Sequence, residues 1–200
     1  MKNKLNIFFI SLLVLQFSCS KSDTISFKVS TNYLDGKPYL SKTKTFKNLD
    51  TKVDISFFKK QFSKFYGIPN ELIHENLKNQ EITEWGFKEK PKKLFENLSE
   101  TFMYDSEGRL IEYKYSSCTI CSQMPWGYKL LYNKNNDVIE QQIYDLKQDI
   151  SANQNGLIIT YKFKDEIDTK IKLTYDNNRN IIKFEKIGKK GLEELIELVK

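Results

Sequence analysis

Two cysteines three positions apart, Cys118 and Cys121, carry the sharpest chemistry in this 200-residue chain. A C-x-x-C pair can act as a redox dithiol, because this spacing lowers a thiol pKa and favours disulfide exchange. That chemistry usually requires the first cysteine at a helix N-terminus. Here the pair follows a predicted strand ending near Tyr115 and precedes a loop that contains Trp126. We therefore predict a structural disulfide that rigidifies the connection, with a redox module as the alternative.

The other residues that could do chemistry form no recognised catalytic motif. His74 is the only histidine, whereas a structural zinc site needs about four Cys or His ligands. We find no G-x-S-x-G, no phosphate-binding glycine loop and no H-E-x-x-H. The 26 acidic residues neither exclude nor favour hydrolysis by a carboxylate pair. The sequence therefore predicts no catalytic residue, no metal and no cofactor, and favours a non-enzymatic protein.

Trp126 and Tyr128, just after the cysteine pair, are the predicted binding surface. Aromatic rings of this kind contact partner proteins and sugars through a large apolar area with a polar tip. The competing interpretation is cross-strand packing, because tyrosines at alternating positions of a strand usually pack against their neighbours. A protein or a carbohydrate is the expected ligand.

The charge balance argues against a nucleic-acid partner. The formal net charge is +6, and removal of an N-terminal segment carrying Lys2 and Lys4 leaves about +4, which is mild. A lysine-rich run from Lys88 to Lys93 is interrupted by Glu89 and Pro91, which is typical of a solvated loop. We predict no nucleic-acid binding.

The N-terminus predicts export. Lys2 and Lys4 precede an apolar run from Leu5 to Phe17, close to the length of a signal-peptide core. The run is shorter than the roughly 20 apolar residues of a comfortable membrane span. We therefore predict a signal peptide over residues 1–18, with an uncleaved anchor as the alternative.

The next residues favour a lipid anchor. The segment Leu15-Gln16-Phe17-Ser18-Cys19 resembles the lipobox of bacterial lipoproteins, in which a small residue precedes a lipidated cysteine. The resemblance implies that Cys19 is lipidated, that residues 19–24 form a tether, and that the protein is held in the bacterial cell envelope. The outer membrane, its periplasmic face and the cell surface are all compatible with it. Several acyl chains would give stable attachment, and Cys118 and Cys121 would be left to pair with each other.

The elements that position these residues are mainly hairpins. The clearest covers Thr101 to Tyr115, where alternating aromatic and aliphatic residues flank a turn at residues 105–108 that ends in a glycine. A first hairpin is predicted from Ile25 to Phe46, and further alternating strands between Tyr128 and Ile187. Residues 144–155 read as either a long loop or an irregular turn.

Three helices are predicted from 3.6-residue spacing. The first contains Phe58, Phe62 and Phe65, with Asp54 or Ser56 as its cap. The second starts at Asn70, and the third is a short amphipathic C-terminal helix over residues 192–199.

The hairpin turns at Tyr104-Asp105, Tyr132-Asn133 and Tyr175-Asp176 share a pattern with an aliphatic residue six positions after the tyrosine. They resemble the YD-type repeats of RHS-like proteins and of secreted bacterial lipoproteins, read roughly as Y-D-x-x-G-R/N-L/I. The resemblance covers residues 94–187 and implies successive antiparallel hairpins with a scaffold role. The third copy has Arg179 at the glycine position, so either its turn has another geometry or its match is accidental.

Together these features predict a single α+β domain over residues 25–200, a mostly antiparallel meander sheet of hairpins with two helices packed on it and a short C-terminal helix. The predicted function is a lipid-anchored envelope protein with a non-enzymatic binding or scaffold role. The alternatives are the disulfide or redox module and, from the resemblance alone, an RHS-associated accessory or immunity-type protein.

Overall fold

One antiparallel sheet accounts for most of the structure. The computed structural model describes residues 24–34, 36–47, 51–65, 68–69, 71–79, 81–83, 100–116, 124–154 and 156–199. These ranges contain eleven strands and one α-helix, bounded as follows: β1 Thr24–Leu34, β2 Lys37–Lys47, α1 Ile55–Phe62, β3 Glu81–Thr83, β4 Glu100–Tyr104, β5 Leu110–Tyr115, β6 Trp126–Tyr132, β7 Val138–Asn153, β8 Gly156–Phe163, β9 Thr169–Tyr175, β10 Ile181–Gly188 and β11 Gly191–Val199.

The strand order is β2-β1-β11-β10-β9-β7-β6-β5-β4-β3, with β8 paired to β7 beside this path. From β3 to β11 the strands form a meander with one exception, since β9 pairs with β7 and β8 stands aside. The first hairpin instead joins the last strand, because β1 pairs with β11 from Ser26 opposite Val199 to Thr31 opposite Glu194. Since β2 and β3 lie at opposite edges, the chain between them must cross the width of the sheet.

The α+β class predicted from the sequence is wrong, because two of the three predicted helices are absent. Helix α1 does form, and the Asp54 side chain caps it by accepting a hydrogen bond from the Phe57 N–H at 2.9 Å. The second helix is replaced by an isolated bridge between Ile73 and Arg109 and a 3-10 turn at Glu75–Leu77. The described structure is a predominantly antiparallel β-sheet with one helix.

The predicted C-terminal helix is also wrong, because residues 191–199 form β11 between β1 and β10. The apolar residues of this segment have helical spacing, but both backbone edges are used by neighbouring strands. Ile196 stands opposite Val29 on one side and Phe184 on the other, and all three are buried. Tertiary pairing here outweighs a local periodicity that a nine-residue isolated helix would not sustain.

The core lies on one face of the sheet under α1. Phe58 packs against Phe27 at 5.9 Å between ring centroids and is stacked on Phe184 at 5.9 Å. Phe65, which follows the helix, contacts Phe184 edge-on at 5.6 Å. Aromatic pairs in these geometries add about 0.5–1.5 kcal/mol each beyond the area they bury. The predicted aromatic stripe is therefore core.

Three turns between β4 and β5, β6 and β7, and β9 and β10 share one hydrogen-bond pattern. In each, Oδ1 of the first residue accepts bonds of 2.8–3.0 Å from the backbone N–H groups two and four positions on. These first residues are Asp105, Asn133 and Asp176. The same residue accepts a backbone bond from the fourth turn residue at 3.0 Å. One short polar side chain thus satisfies two backbone donors in every turn.

The fourth residue of each turn has a positive φ: 75° at Gly108, 61° at Asn136 and 62° at Arg179. The sequence predicted either another geometry for the third turn or an accidental match to the repeat, whereas the structure gives this turn the same geometry as the other two. Arg179 takes the left-handed conformation that glycine takes in the first turn, although a side chain makes this conformation unfavourable. Its guanidinium contacts, described next, hold it there.

Side chains join the three turns into a row, which we call the turn row (residues 105–109, 133–137 and 176–180). Arg109 donates to Asn136 Oδ1 at 3.0 Å, and it also forms an ion pair with Asp105 at 2.7 Å. Arg179 reaches Asp137 at 2.6 Å and the Asn135 carbonyl at 2.9 Å. Both arginines therefore connect their own turn to the middle one.

Two half-buried tyrosines, Tyr132 and Tyr175, also join neighbouring turns. The Tyr132 hydroxyl donates to the Leu110 carbonyl at 2.7 Å, and the Tyr175 hydroxyl donates to the Val138 carbonyl at 2.7 Å. Leu110 and Val138 hold equivalent places, six residues after the tyrosines of the first and second turns. Burial raises the pKa of Tyr132 and of Tyr175, so both hydroxyls stay protonated and keep donating.

The crossing segment, residues 51–79, is tied to both outer turns, and we call it the strap. Near the third turn, the Ile181 N–H donates to the Val53 carbonyl at 2.7 Å. Near the first turn, the Leu110 N–H donates to the Leu72 carbonyl and the His74 N–H to the Gly108 carbonyl, both at 2.8 Å. A helix over residues 70–77 would use these same backbone groups internally, which explains why that prediction failed.

The strap approaches the turn row closely at Gly108. A Cβ at Gly108 would lie 2.3 Å from the His74 carbonyl oxygen, whereas a Cβ at Gly36, which has the same φ of 75°, would meet nothing within 4 Å. We expect Gly36→Ala to cost only the left-handed penalty of about 1–2 kcal/mol. Gly108→Ala should cost about 1–3 kcal/mol more, because the strap must move. Urea unfolding of the two variants measures the difference, and equal losses would contradict the contact.

The turn carboxylates predict an acid-dependent stability. Burial alone would raise the pKa of Asp176, but hydrogen bonds from the Asn180 backbone and side chain and from the Asn178 backbone outweigh it and lower the pKa. A carboxyl with a lowered folded-state pKa stabilises the fold above its ordinary pKa, and this contribution is lost as the pH falls below about 4. Asp176→Asn should remove that part of the dependence.

We expect Asp176→Asn to unfold close to wild type at pH 7, because Asn133 makes the same bonds in the middle turn. Between pH 5 and pH 3 the variant should lose less stability than wild type. The control is Asp165→Asn, at a fully exposed carboxylate between β8 and β9. Urea midpoints across this pH range measure the effect, and parallel curves for wild type and Asp176→Asn would refute it.

Candidate functional site

The predicted cysteine sites lie outside the described residues. Cys19 is in residues 1–23, and Cys118 and Cys121 are in residues 117–123. The described residues on either side of the C-x-x-C segment, Ser116 and Met124, follow β5 and precede β6 at the end of the sheet opposite the turn row. Lipidation, the disulfide and its redox alternative therefore stay predictions.

The structure separates the two residues of the predicted aromatic surface. Tyr128 is 0% exposed and stacks on Tyr113 with 4.9 Å between ring centroids. Burial also raises the pKa of the Tyr128 hydroxyl. Trp126 begins strand β6 instead of lying in a loop, and it is half-buried against Tyr113 at 5.4 Å. Of the two, only Trp126 has exposed surface to offer a ligand.

The titratable groups of the described chain serve the fold. Hydrogen bonds from the backbone and guanidinium of Arg109 outweigh burial and lower the pKa of Asp105, which is already used by its turn. His74 lies on the strap and packs edge-on against Tyr104 at 5.6 Å. Among the described residues, no three His, Cys, Asp or Glu side chains are placed to hold a metal ion.

The distal half of β7 and all of β8 project from the sheet as a two-stranded arm, residues 146–163. Strand β7 continues to Asn153 through residues that the sequence left as loop or turn, and it pairs with β8 from Leu146 opposite Phe163 to Asn153 opposite Gly156. The arm leaves the end of the sheet opposite the turn row. It also explains the unequal spacing of the three turns, since it is inserted between the second and the third.

The base of the arm is packed tightly against the sheet. The Phe163 ring lies over Gly127, where a Cβ would come within 2.9 Å of its Cε1 atom. It also contacts Tyr144 at 5.1 Å, and the Lys129 ammonium lies 4.9 Å from its centroid. The Leu146 N–H donates to the Pro125 carbonyl at 3.0 Å, next to the C-x-x-C segment. These contacts fix the direction in which the arm projects.

The arm has one apolar and one polar face. Ile150, Leu157 and Ile159 share a face by register and alternation, and they are 59%, 74% and 53% exposed. On the other face Lys162 forms an ion pair with Asp149. Both Leu157 and Ile159 lie in the region where the sequence predicted alternating strands. The exposure of the apolar face was not predictable, because it depends on the absence of a covering layer along the described part of the arm.

Two polar grooves lie near the opposite edge of the sheet, with volumes of about 460 and 290 Å³, and they share Thr31 and Glu194. Two of the lysines that line the second groove are engaged with the fold: Lys64 pairs with Glu194 at 2.6 Å, and Lys44 donates to the Gln61 carbonyl. The arm is therefore the more distinctive surface of the described chain.

Comparison with known proteins gave no match to a family model, to a curated protein or to a solved structure. No helix in the described ranges is long and apolar enough to cross a membrane.

Proposed function

We propose that the chain is a lipid-anchored protein of the bacterial cell envelope that binds a partner without catalysing a reaction. The observation that carries this proposal is that the two ends of the sheet differ. Strand β1 begins at Thr24, five residues after Cys19, at the end of the sheet that contains the turn row. The arm and the ends of the C-x-x-C segment lie at the other end.

The lengths of the tether and of β1 indicate which end of the sheet would face the membrane. Five residues span at most about 18 Å, so lipid on Cys19 would hold the turn-row end close to the membrane. The eleven residues of β1 extend about 36 Å along the sheet, so the arm end is the one free to face the envelope space. In this arrangement the attached end consists of turns whose backbone groups are hydrogen-bonded. The distal end has exposed apolar surface, which suits a binding protein.

A protein partner fits the distal end better than a carbohydrate. A surface that stacks on sugars needs exposed aromatic rings. Tyr128 is buried and Trp126 is half-buried, so the two rings do not form such a surface. Ile150, Leu157 and Ile159 offer aliphatic surface of the kind that contacts other proteins.

The carboxylates with a lowered pKa, Asp105 and Asp176, serve their own turns. The hydroxyls of Tyr132 and Tyr175 join neighbouring turns, so these groups are occupied by the fold, which supports binding over catalysis.

The anchor is tested by Cys19→Ala. Because attachment depends on acyl chains on this one sulfur, we expect the variant to move from the membrane fraction to the soluble fraction. The matched control replaces Cys118 and Cys121 together by alanine and should stay with the membrane. If the Cys19→Ala protein remains in the membrane fraction, the lipobox interpretation is wrong.

The binding role is tested by affinity capture from envelope extract with wild type and Trp126→Ala. We expect the variant to fold, since Trp126 is at a strand end and half-buried, and to recover its partner at least about tenfold more weakly, as aromatic anchors typically do on truncation. Tyr128→Ala serves as the contrast, because removing a fully buried ring costs about 3–5 kcal/mol of stability. Identical partners with wild type and Trp126→Ala would remove Trp126 from the surface.

A further inference from the structure

We propose that β8 is a self-pairing edge, through which two copies of this chain join their arms in an antiparallel two-fold arrangement centred on Ile159. This inference is independent of the lipid anchor and of the distal partner. It rests on the free edge of β8, on its composition and on its register.

Strand β8 pairs only with β7 among the described residues, so its other backbone edge has no strand beside it. Antiparallel pairs alternate between hydrogen-bonded and non-hydrogen-bonded residues. The Lys164 N–H donates to the Asp145 carbonyl at 3.0 Å, which fixes the phase of this alternation. The backbone groups of Leu157, Ile159 and Tyr161 are therefore directed to the free edge.

The composition of β8 differs from that of the other long edge strand. Soluble proteins guard exposed edges with lysine and proline, which discourage pairing with another chain. Strand β2 has Pro38 and four lysines in eleven residues, KPYLSKTKTFK. Strand β8 reads GLIITYKF and has one lysine and no proline. The same chain protects one edge and leaves the other open.

The register centred on Ile159 is complementary to itself. Ile159 stands opposite Ile159 of the second copy, and Leu157 stands opposite Tyr161, so the three residues with outward backbone groups all find partners. These three pairs exchange about six backbone hydrogen bonds. Lys162, the one charge of the strand, falls opposite Gly156, so no like charges face each other. The apolar faces of the two arms then become one four-stranded face.

The expected affinity is modest. Pairing two eight-residue strands buries less than the roughly 1,600 Å² of a standard interface, which corresponds to a weak or transient contact. We expect dissociation constants between about 1 and 100 µM for the full chain in solution.

A cysteine cross-link tests the two-fold axis. In the Cys19→Ala background, Ile159→Cys places two Cα atoms about 5.5 Å apart across the axis, within disulfide range. Thr160→Cys is the matched control, because its two Cα atoms would be about 8 Å apart, which is too far. Under mild oxidation with diamide, we expect a disulfide-linked dimer from the first variant only. Equal cross-linking of both variants, or of neither, would overturn the register.

A charge test separates edge pairing from stacking of the apolar faces. Ile159→Lys places like charges opposite each other on the axis and should weaken the dimer at least about tenfold in sedimentation experiments. Ile150→Lys, on the same face but on β7, should weaken it less than about threefold. A monomer for the Cys19→Ala full chain at 100 µM would overturn the proposal. Equal weakening by the two variants would also overturn it, because stacked faces would lose both isoleucines alike.

Discussion

The structure depends on three turns in which a side chain of the turn accepts hydrogen bonds from the backbone N–H groups of the same turn. At each turn, a single Asp or Asn oxygen accepts two N–H groups that would otherwise need water. Because the three turns have the same shape, they lie side by side, and the hydroxyls of Tyr132 and Tyr175 reach equivalent carbonyls in the neighbouring turn. The strap then fastens to the outer turns mainly through backbone hydrogen bonds, with one further bond from the Val53 N–H to Asn180 Oδ1. The covering layer of the core is thus positioned by the turn row.

The order of the strands explains why the strap crosses the sheet. A meander from β3 to β11 leaves the first hairpin without a neighbour in sequence, and β1 joins β11 instead. That pairing closes the contact between the two ends of the described chain and forces the strap across the sheet. The cost is a long non-local connection, and the phenylalanines of α1 and β1 offset it by burying a common aromatic cluster.

The two ends of the sheet have different surfaces. The turn-row end is polar, with its arginines and carboxylates engaged with one another. The distal end has the arm, fixed at its base by Phe163 and Gly127 and apolar along one face. A protein attached through residues near Thr24 would present the second surface and keep the first near its anchor. The two long edge strands also differ, since β2 has a proline and four lysines that discourage pairing, whereas β8 has one lysine and no proline.

The sequence by itself determined the hairpins, because period-two alternation and turn residues act over a few positions. It also limited the cap of α1 to Asp54 or Ser56, of which the structure uses Asp54, and it indicated that the first two turns are alike. Tertiary structure decided the rest. Residues 71–79 and 191–199 carry helical spacing, yet their backbone groups bond to Gly108, Leu110 and neighbouring strands, which no local pattern reveals. Burial of Tyr128 and exposure of Ile159 likewise depend on which face of the sheet the strap covers, a relation between segments that are far apart in the sequence.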